Sequence, residues 1–140
     1  MTVRVVWDDE ATKQTLHYIY QGSWTWDEHY QGIKDGLALF DTVPHIVDMI
    51  VDMSESPKFP PGNVFSHFRS IGNMYHQRAG HTIILNENAF LRSMFTTFNK
   101  IYKPNRVTGK VIFVANLDEA RKMLSQLRQN RVDTENRASP

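Results

Sequence analysis

The sequence predicts an α/β domain. The sheet is expected to be five-stranded and mostly parallel, with an antiparallel N-terminal edge strand, in the order β-β-α-β-α-β-α-β-α. Three observations carry this. Short β-branched runs alternate with apolar stripes at spacings of three and four, four times after the first strand. The run over residues 46–53 ends in Asp52-Met53-Ser54 and enters a loop, 55–63, holding Pro57, Pro60, Pro61 and Gly62 ahead of a new helical pattern. That is how a central strand delivers its carboxyl end to a helix N-terminus, the usual working place of an α/β domain. Repeated strand-then-helix units in one sheet imply right-handed crossovers and hence parallel neighbours.

Val3, Val5 and Trp7 alternate as a short strand, and a polar turn over 8–12 leads to a second run over 14–20. In that run Leu16, Tyr18 and Tyr20 share one face and His17 and Ile19 the other, so the pair suggests a hairpin. Thr25-Trp26-Asp27-Glu28 fits a capping box. The helix it opens carries Tyr30, Ile33, Leu37 and Phe40 at helical spacing and stops at Val43-Pro44. Gly32 and Gly36 lie off that stripe and weaken the helix by roughly 1 kcal/mol each relative to alanine. Packing compensates, or a neighbour comes close.

The central run has two faces. Val47, Met49, Val51 and Met53 are wholly apolar; Ile46, Asp48, Ile50 and Asp52 are mixed. Burying Asp48 is costly, so helices are expected on the first face and a more open surface, or a partner, on the second. A helix capped by Asn63 comes next, with Val64, Phe68, Ile71 and Tyr75 in register and Phe65 alongside, closed by Ala79-Gly80. A strand over 81–85 leads to a third helix with Phe90, Leu91, Met94, Phe95, Phe98, Ile101 and Tyr102. The last strand is 110–115. The last helix starts at Asn116-Leu117-Asp118-Glu119, with Leu117, Ala120, Leu124 and Leu127 in register. Residues 1–130 are therefore read as one domain and 131–140 as a flexible polar tail.

Composition narrows function. At 140 residues the chain can build a core without staples. A net charge of +1 gives no global attraction for nucleic acid or an anionic membrane. The absence of cysteine removes disulfides, thiolate nucleophiles and Cys-ligated zinc, and suits a cytoplasmic protein. No apolar run approaches the roughly 20 residues of a membrane span, and the N-terminus has no signal-peptide core.

Candidate chemistry is thin. The six histidines show no H-E-x-x-H or other metal spacing, so no metal or cofactor is expected. There is no G-x-S-x-G elbow and no phosphate-binding glycine loop. Ser54 or Ser56 with His67 and Asp52 has no triad spacing. Asp48 and Asp52, about 13 Å apart on one strand face, are too distant for a carboxylate pair; Asp52 is expected to accept loop N–H groups. An enzyme is not expected. Lys100, Lys103, Arg106 and Lys110 form a local basic patch, read as a solvated loop or, more sharply, as a docking point for an acidic partner. Trp24, Trp26, Phe59, Phe65, Phe68 and Tyr75 are expected near the strand-to-helix loops, as core packing or as an apolar pocket or contact surface.

The element order, the Asp52-Met53-Ser54 strand ending and the Asn116-Leu117-Asp118-Glu119-Ala120 helix start resemble the STAS domains, the SpoIIAA-like anti-sigma-factor antagonists and their SEC14-like relatives, over roughly residues 3–129. The resemblance implies a SpoIIAA-like βα superhelix and a non-enzymatic regulatory or protein-interaction module of bacterial type. Where that family carries its phosphoacceptor hydroxyl, this chain reads Phe59-Pro60-Pro61-Gly62-Asn63, so the usual serine is lacking. The expected partner or ligand surface is Asp52, Ser54, Ser56, Phe59, Gly62, Asn63, Phe65 and Phe68. The expected partners are an unidentified protein and a second copy docked through the mixed sheet face. The SEC14-like relatives imply the alternative, a binding protein for a small apolar ligand or lipid, with Phe65, Phe68, Met94 and Phe98 as lining.

Overall fold

The computed structural model describes residues 2–56, 58–64, 66–67, 70, 74, 76–86, 89, 92–93, 96–97 and 111–138. Five strands form one sheet in sequence order: β1 (Val3–Trp7), β2 (Thr15–Gln21), β3 (Val47–Glu55), β4 (Ala79–Leu85) and β5 (Val111–Val114). β1 pairs antiparallel with β2, and every later neighbour is parallel. The expected α/β class, with its antiparallel edge strand, is the class found. Helix α1 (Trp26–Phe40) joins β2 to β3, and helix α2 (Leu117–Ala138) comes after β5. Between β3 and β4 the described Val64, Ser66, His67 and Ser70 are helical, as are Ala89, Arg92, Ser93, Thr96 and Thr97 between β4 and β5.

The period-two reading of the strands holds. Val3, Val5, Trp7, Leu16, Tyr18, Tyr20, Val47, Met49, Val51 and Met53 join one core cluster with Ile33, Leu37 and Phe40 of α1. Ile50, Ile83, Ile112 and Val114 pack on the other face against Leu117, Ala120, Met123, Leu124 and Leu127 of α2. A sheet with both faces covered accounts for the apolar residues on both sides of β3 and in the Ile83–Leu85 half of β4.

Helix α1 begins with the expected capping box. Glu28 N donates to Thr25 Oγ1 at 3.1 Å, and Thr25 N donates to Glu28 Oε1 at 3.2 Å. Its most buried residues are His29, Gly32, Gly36 and Phe40, so the inward face is centred on the glycines, with Ile33 and Leu37 beside them. The stripe read from Tyr30 was off-centre because hydrophobicity marks bulky residues, whereas close approach to a sheet selects small ones. A Cβ at Gly32 would stand 2.8 Å from Val3 Cγ1, and one at Gly36 would overlap the Tyr18 phenol. Gly36→Ala is therefore expected to lower stability by about 1–2 kcal/mol, overpacking exceeding the gain in helix propensity. Denaturant melts check this, and Tyr18→Phe in the same chain should recover part of the loss. A stabilised Gly36→Ala would contradict the packing.

The mixed face of β3 is not open. Asp48 is fully buried and accepts from Arg128 Nε at 2.8 Å, Arg131 Nη2 at 3.3 Å and the His81 N–H at 2.7 Å. Arg128 also donates to Gln14 O at 3.1 Å and to the Thr15 hydroxyl. The β3–β4 register slips between Val47 and Met49, where β4 carries one extra residue. That bulge turns the His81 N–H toward the Asp48 carboxylate. Asp48 was expected to mark an exposed face or a docking face for a second copy; it instead meets the arginines of its own C-terminal helix. Sequence spacing does not bring residues 128 and 131 to residue 48; only the packing of α2 does.

Two further expectations change with it. Gly80 lies within β4 rather than closing a helix, and a Cβ there would overlap Asp48 Oδ1 and stand 3.1 Å from Arg131 Nη1. Helix α2 runs through Ala138, beyond residue 130 where its polarity suggested an end. Arg131, the first residue of the expected tail, is held by Asp48. The cap of α2 is as read: Glu119 N donates to Asn116 Oδ1 at 2.9 Å, although the Glu119 carboxylate accepts from Ala115 N rather than from its own cap. No helix among the described residues is long and apolar enough to cross a membrane.

Candidate functional site

The carboxyl ends of β2 and β3 open onto two loops that face each other. Residues 22–25 lead from β2 into α1, and residues 56–63 lead from β3 to the next helical segment. Between them lies an open cleft of about 740 Å³, bordered by Gly22, Trp24, Trp26, Lys58, Phe59 and Pro60 among others. Its walls are aromatic. Trp24 meets Trp26 edge-on at 5.1 Å between ring centroids and Phe59 edge-on at 5.9 Å, while Trp26 and Phe59 lie nearly parallel at 6.1 Å.

The loops are tied across the cleft. Trp24 Nε1 donates to Ser56 Oγ at 2.6 Å, and Ser56 Oγ donates to Gly22 O at 3.0 Å. Trp26 Nε1 donates to Pro61 O at 2.9 Å. Gly62 takes φ +128, a backbone region that side chains disfavour, and brings the chain against Trp26 and His67. His67 stacks on Trp26 at 4.0 Å and shares a 2.6 Å hydrogen bond with Tyr30 Oη through Nδ1. Asn63 caps the helical segment beyond the loop: its Oδ1 accepts Ser66 N at 3.2 Å. Pro61 O and the close approach of Gly62 thus hold the Trp26 ring against this loop.

Behind the two tryptophans lies His29, buried and ringed by aromatics. Tyr20 Oη and His29 Nδ1 are 2.7 Å apart, and the Trp24, Trp26 and Tyr30 rings stand 5.5–5.7 Å from the imidazole. Burial lowers the imidazole to about 4, and His67 nearby adds a smaller push in the same direction. His29 is therefore neutral at pH 7.

On the opposite face of β3, Asp52 sits at a second register slip, where the extra residue is in β3 itself. Its Oδ1 accepts Ser54 N at 3.1 Å and Ser54 Oγ at 2.5 Å, and His17 Nε2 is 3.4 Å from Oδ2. The His17 contact and then those of Ser54 hold the Asp52 carboxyl below its ordinary range. Asp8, gripped by Arg121 Nη2 and Nε at 2.8 and 3.1 Å, is lowered in the same way. Ser54 bonds to the carboxylate, with histidine on the far oxygen. In a nucleophile relay the base stands between the other two.

The expected surface residues thus separate. Phe59, Gly62 and Asn63 belong to the cleft loop, and Ser56 to its buried tie. Asp52 and Ser54 form a turn on the other side of the strand. Phe65 and Phe68, and with them Met94, Phe98, Tyr75 and the Lys100–Lys110 patch, lie outside the described residues. His29, Tyr20, Tyr30 and His67 were not singled out with Trp24 and Trp26. The dense aromatic run Trp24-Trp26-His29-Tyr30 was the signal available in the sequence. No group of three or more metal-ligating side chains occurs among the described residues.

A family model for the divergent CRAL/TRIO domain matches residues 37–135. The chain belongs to the divergent CRAL/TRIO domain family. No curated protein and no solved structure matches it. The match falls on the SEC14-related side of the expected resemblance and only loosely on its STAS side, so it fits ligand binding better than anti-sigma-factor antagonism. It covers β3 through most of α2, including Glu55 and Lys58–Pro61 of the cleft wall. The other wall, with Trp24 and Trp26, precedes the CRAL/TRIO match.

Proposed function

We propose that this divergent CRAL/TRIO protein binds a small apolar ligand in the cleft between the 22–26 and 58–61 segments, and acts by binding rather than by catalysis. The observation that carries the reading is the aromatic cleft at the carboxyl ends of β2 and β3, bordered by Trp24, Trp26 and Phe59. Apolar, largely preformed concavities with a few polar groups at the edge are the usual form of small-molecule sites. Here the loop ties supply the preformed shape, so little ordering entropy is lost on binding. The SEC14-related membership supports the same reading.

The test is displacement of a hydrophobic fluorophore, together with native mass spectrometry of protein purified without detergent. A co-purified apolar molecule, or saturable fluorophore binding, is expected. Trp26→Ala should weaken binding about tenfold or more, since one aromatic wall and its stacking are lost. Phe59→Ala should act in the same direction. Binding untouched by both substitutions would sink the assignment of this cleft.

A further inference from the structure

Granted the cleft as a site for an apolar ligand, on which this inference rests, the hydrogen bonding at His29 points to the chemistry of that ligand. His29 is only 6% exposed, and among the described residues its Nε2 has no hydrogen-bond partner. Buried polar atoms without partners are rare enough in folded proteins to need a reason.

The neighbours of the ring decide its tautomer. Burial raises the Tyr20 phenol, which stays protonated. If Tyr20 O–H donates to His29 Nδ1, the neutral ring carries its proton on Nε2, and one donor is left without an acceptor. If instead Nδ1–H donates to Tyr20, both the phenol proton and the Nε2 lone pair are stranded. The first arrangement leaves fewer orphans and is the one favoured.

His29 therefore presents a neutral N–H, desolvated, immediately behind the two tryptophans that wall the cleft. The rings that surround it offer at most weak N–H···π contacts. Trp26 is the more exposed of the two tryptophans and is held by stacking and by one hydrogen bond to Pro61 O. A ligand that shifts the Trp26 ring would reach the imidazole. We propose that the ligand is an apolar molecule carrying an acceptor oxygen, such as a carbonyl or ester, which enters behind Trp26 and accepts a hydrogen bond from His29 Nε2–H. The tyrosine–histidine pair then acts as a specificity element: an oxygenated molecule satisfies the buried donor and a plain hydrocarbon leaves it unpaired.

The experiment compares acetophenone with ethylbenzene, two molecules of similar shape of which only the first has an acceptor. Affinities are read by NMR shift titration in the wild type, in His29→Phe and in His29→Gln. The ratio of ketone to hydrocarbon affinity is expected to fall about tenfold in His29→Phe, in line with the loss of one buried hydrogen bond. It should be largely restored in His29→Gln, whose carboxamide keeps an N–H. Nitrogen-15 spectra of the wild-type imidazole provide a measurement that needs no variant to fold. The proton is expected on Nε2, and its resonance should move with the ketone and not with the hydrocarbon. A ratio unchanged in His29→Phe, a proton on Nδ1, or an Nε2–H resonance indifferent to the ketone overturns the inference while leaving the cleft assignment standing. Failure of both probes to bind the wild type overturns the cleft assignment itself.

Discussion

Asp48→Ala should lower the unfolding free energy by about 3–5 kcal/mol, the usual cost of removing one member of a buried ion pair. Asp48 is fully buried, and the Arg128 and Arg131 side chains are about a quarter exposed. The substitution removes the carboxylate shared by two guanidinium groups and the His81 N–H, leaving Arg128 its bonds to Gln14 O and Thr15, and it opens a hole beneath the C-terminal helix. The same network joins β2, β3, β4 and α2, through Gln14 O, Thr15, Asp48 and the β4 bulge. Its loss should therefore reduce cooperativity as well as stability. Denaturant melts measure both.

A triple variant separates charge from packing. Asp48→Leu combined with Arg128→Met and Arg131→Met replaces the buried ions with apolar side chains of comparable length, and such exchanges are often neutral or stabilising. Most of the loss should return in that triple variant, though not all, because the His81 N–H loses the Asp48 carboxylate while Gln14 O keeps the backbone N–H of residue 48. An Asp48→Ala loss under about 1 kcal/mol would mean that water reaches the arginines and that the network contributes little.

The second large effect is on acid stability. Unfolded histidine titrates near 6.5 and His29 in the fold near 4. Between those values the unfolded chain binds the extra proton, so stability rises with pH across the window. Acidifying from pH 7 to pH 4 should therefore remove roughly 3 kcal/mol through this one residue, with no further loss from it below that range. Asp8 and Asp52 act lower down. Their folded carboxyls are depressed below 3.8, so their contribution is present above that value and is lost as pH falls through their folded range. Acid destabilisation is thus expected in two steps, the upper one belonging to His29. Urea melts at several pH values between 7 and 4 should show the slope, and His29→Gln should flatten that part of it. A wild-type profile flat over this window would mean that His29 is hydrated and charged in the fold.

Much of the fold was legible because strand alternation and helix caps are local. Val3-Val5-Trp7 and Leu16-Tyr18-Tyr20 lie on the predicted face because a strand turns its side chains over every residue. Thr25 and Glu28 meet because they are three residues apart. Asn63 and Asn116 cap for the same local reason. The helix face of α1 was harder to read, since Gly32 and Gly36 are invisible to hydrophobic patterning and yet set how closely the helix can approach Tyr18 and Val3. The loop between β3 and Asn63 lies, as read, at the carboxyl end of β3, where it borders the cleft. Which of its residues face the cleft was not readable, because Ser56 turns inward to bind Trp24 and Gly22 O while Ser54, two positions earlier, turns to Asp52.

By itself, then, the sequence determined the α/β order, the two faces of the central strand and the caps at Thr25, Asn63 and Asn116. Tertiary structure alone decided that Asp48 is buried under Arg128 and Arg131, that Gly80 belongs to a strand pressed against that carboxylate, and that His29 stands desolvated behind Trp24 and Trp26. The physical reason is range. Alternation, helical spacing and capping act over one to four residues and leave a mark in the order of the letters. The Asp48 charge is defined by residues eighty positions away, and even the nearer rings around His29 enclose it only once packing has removed the water between them.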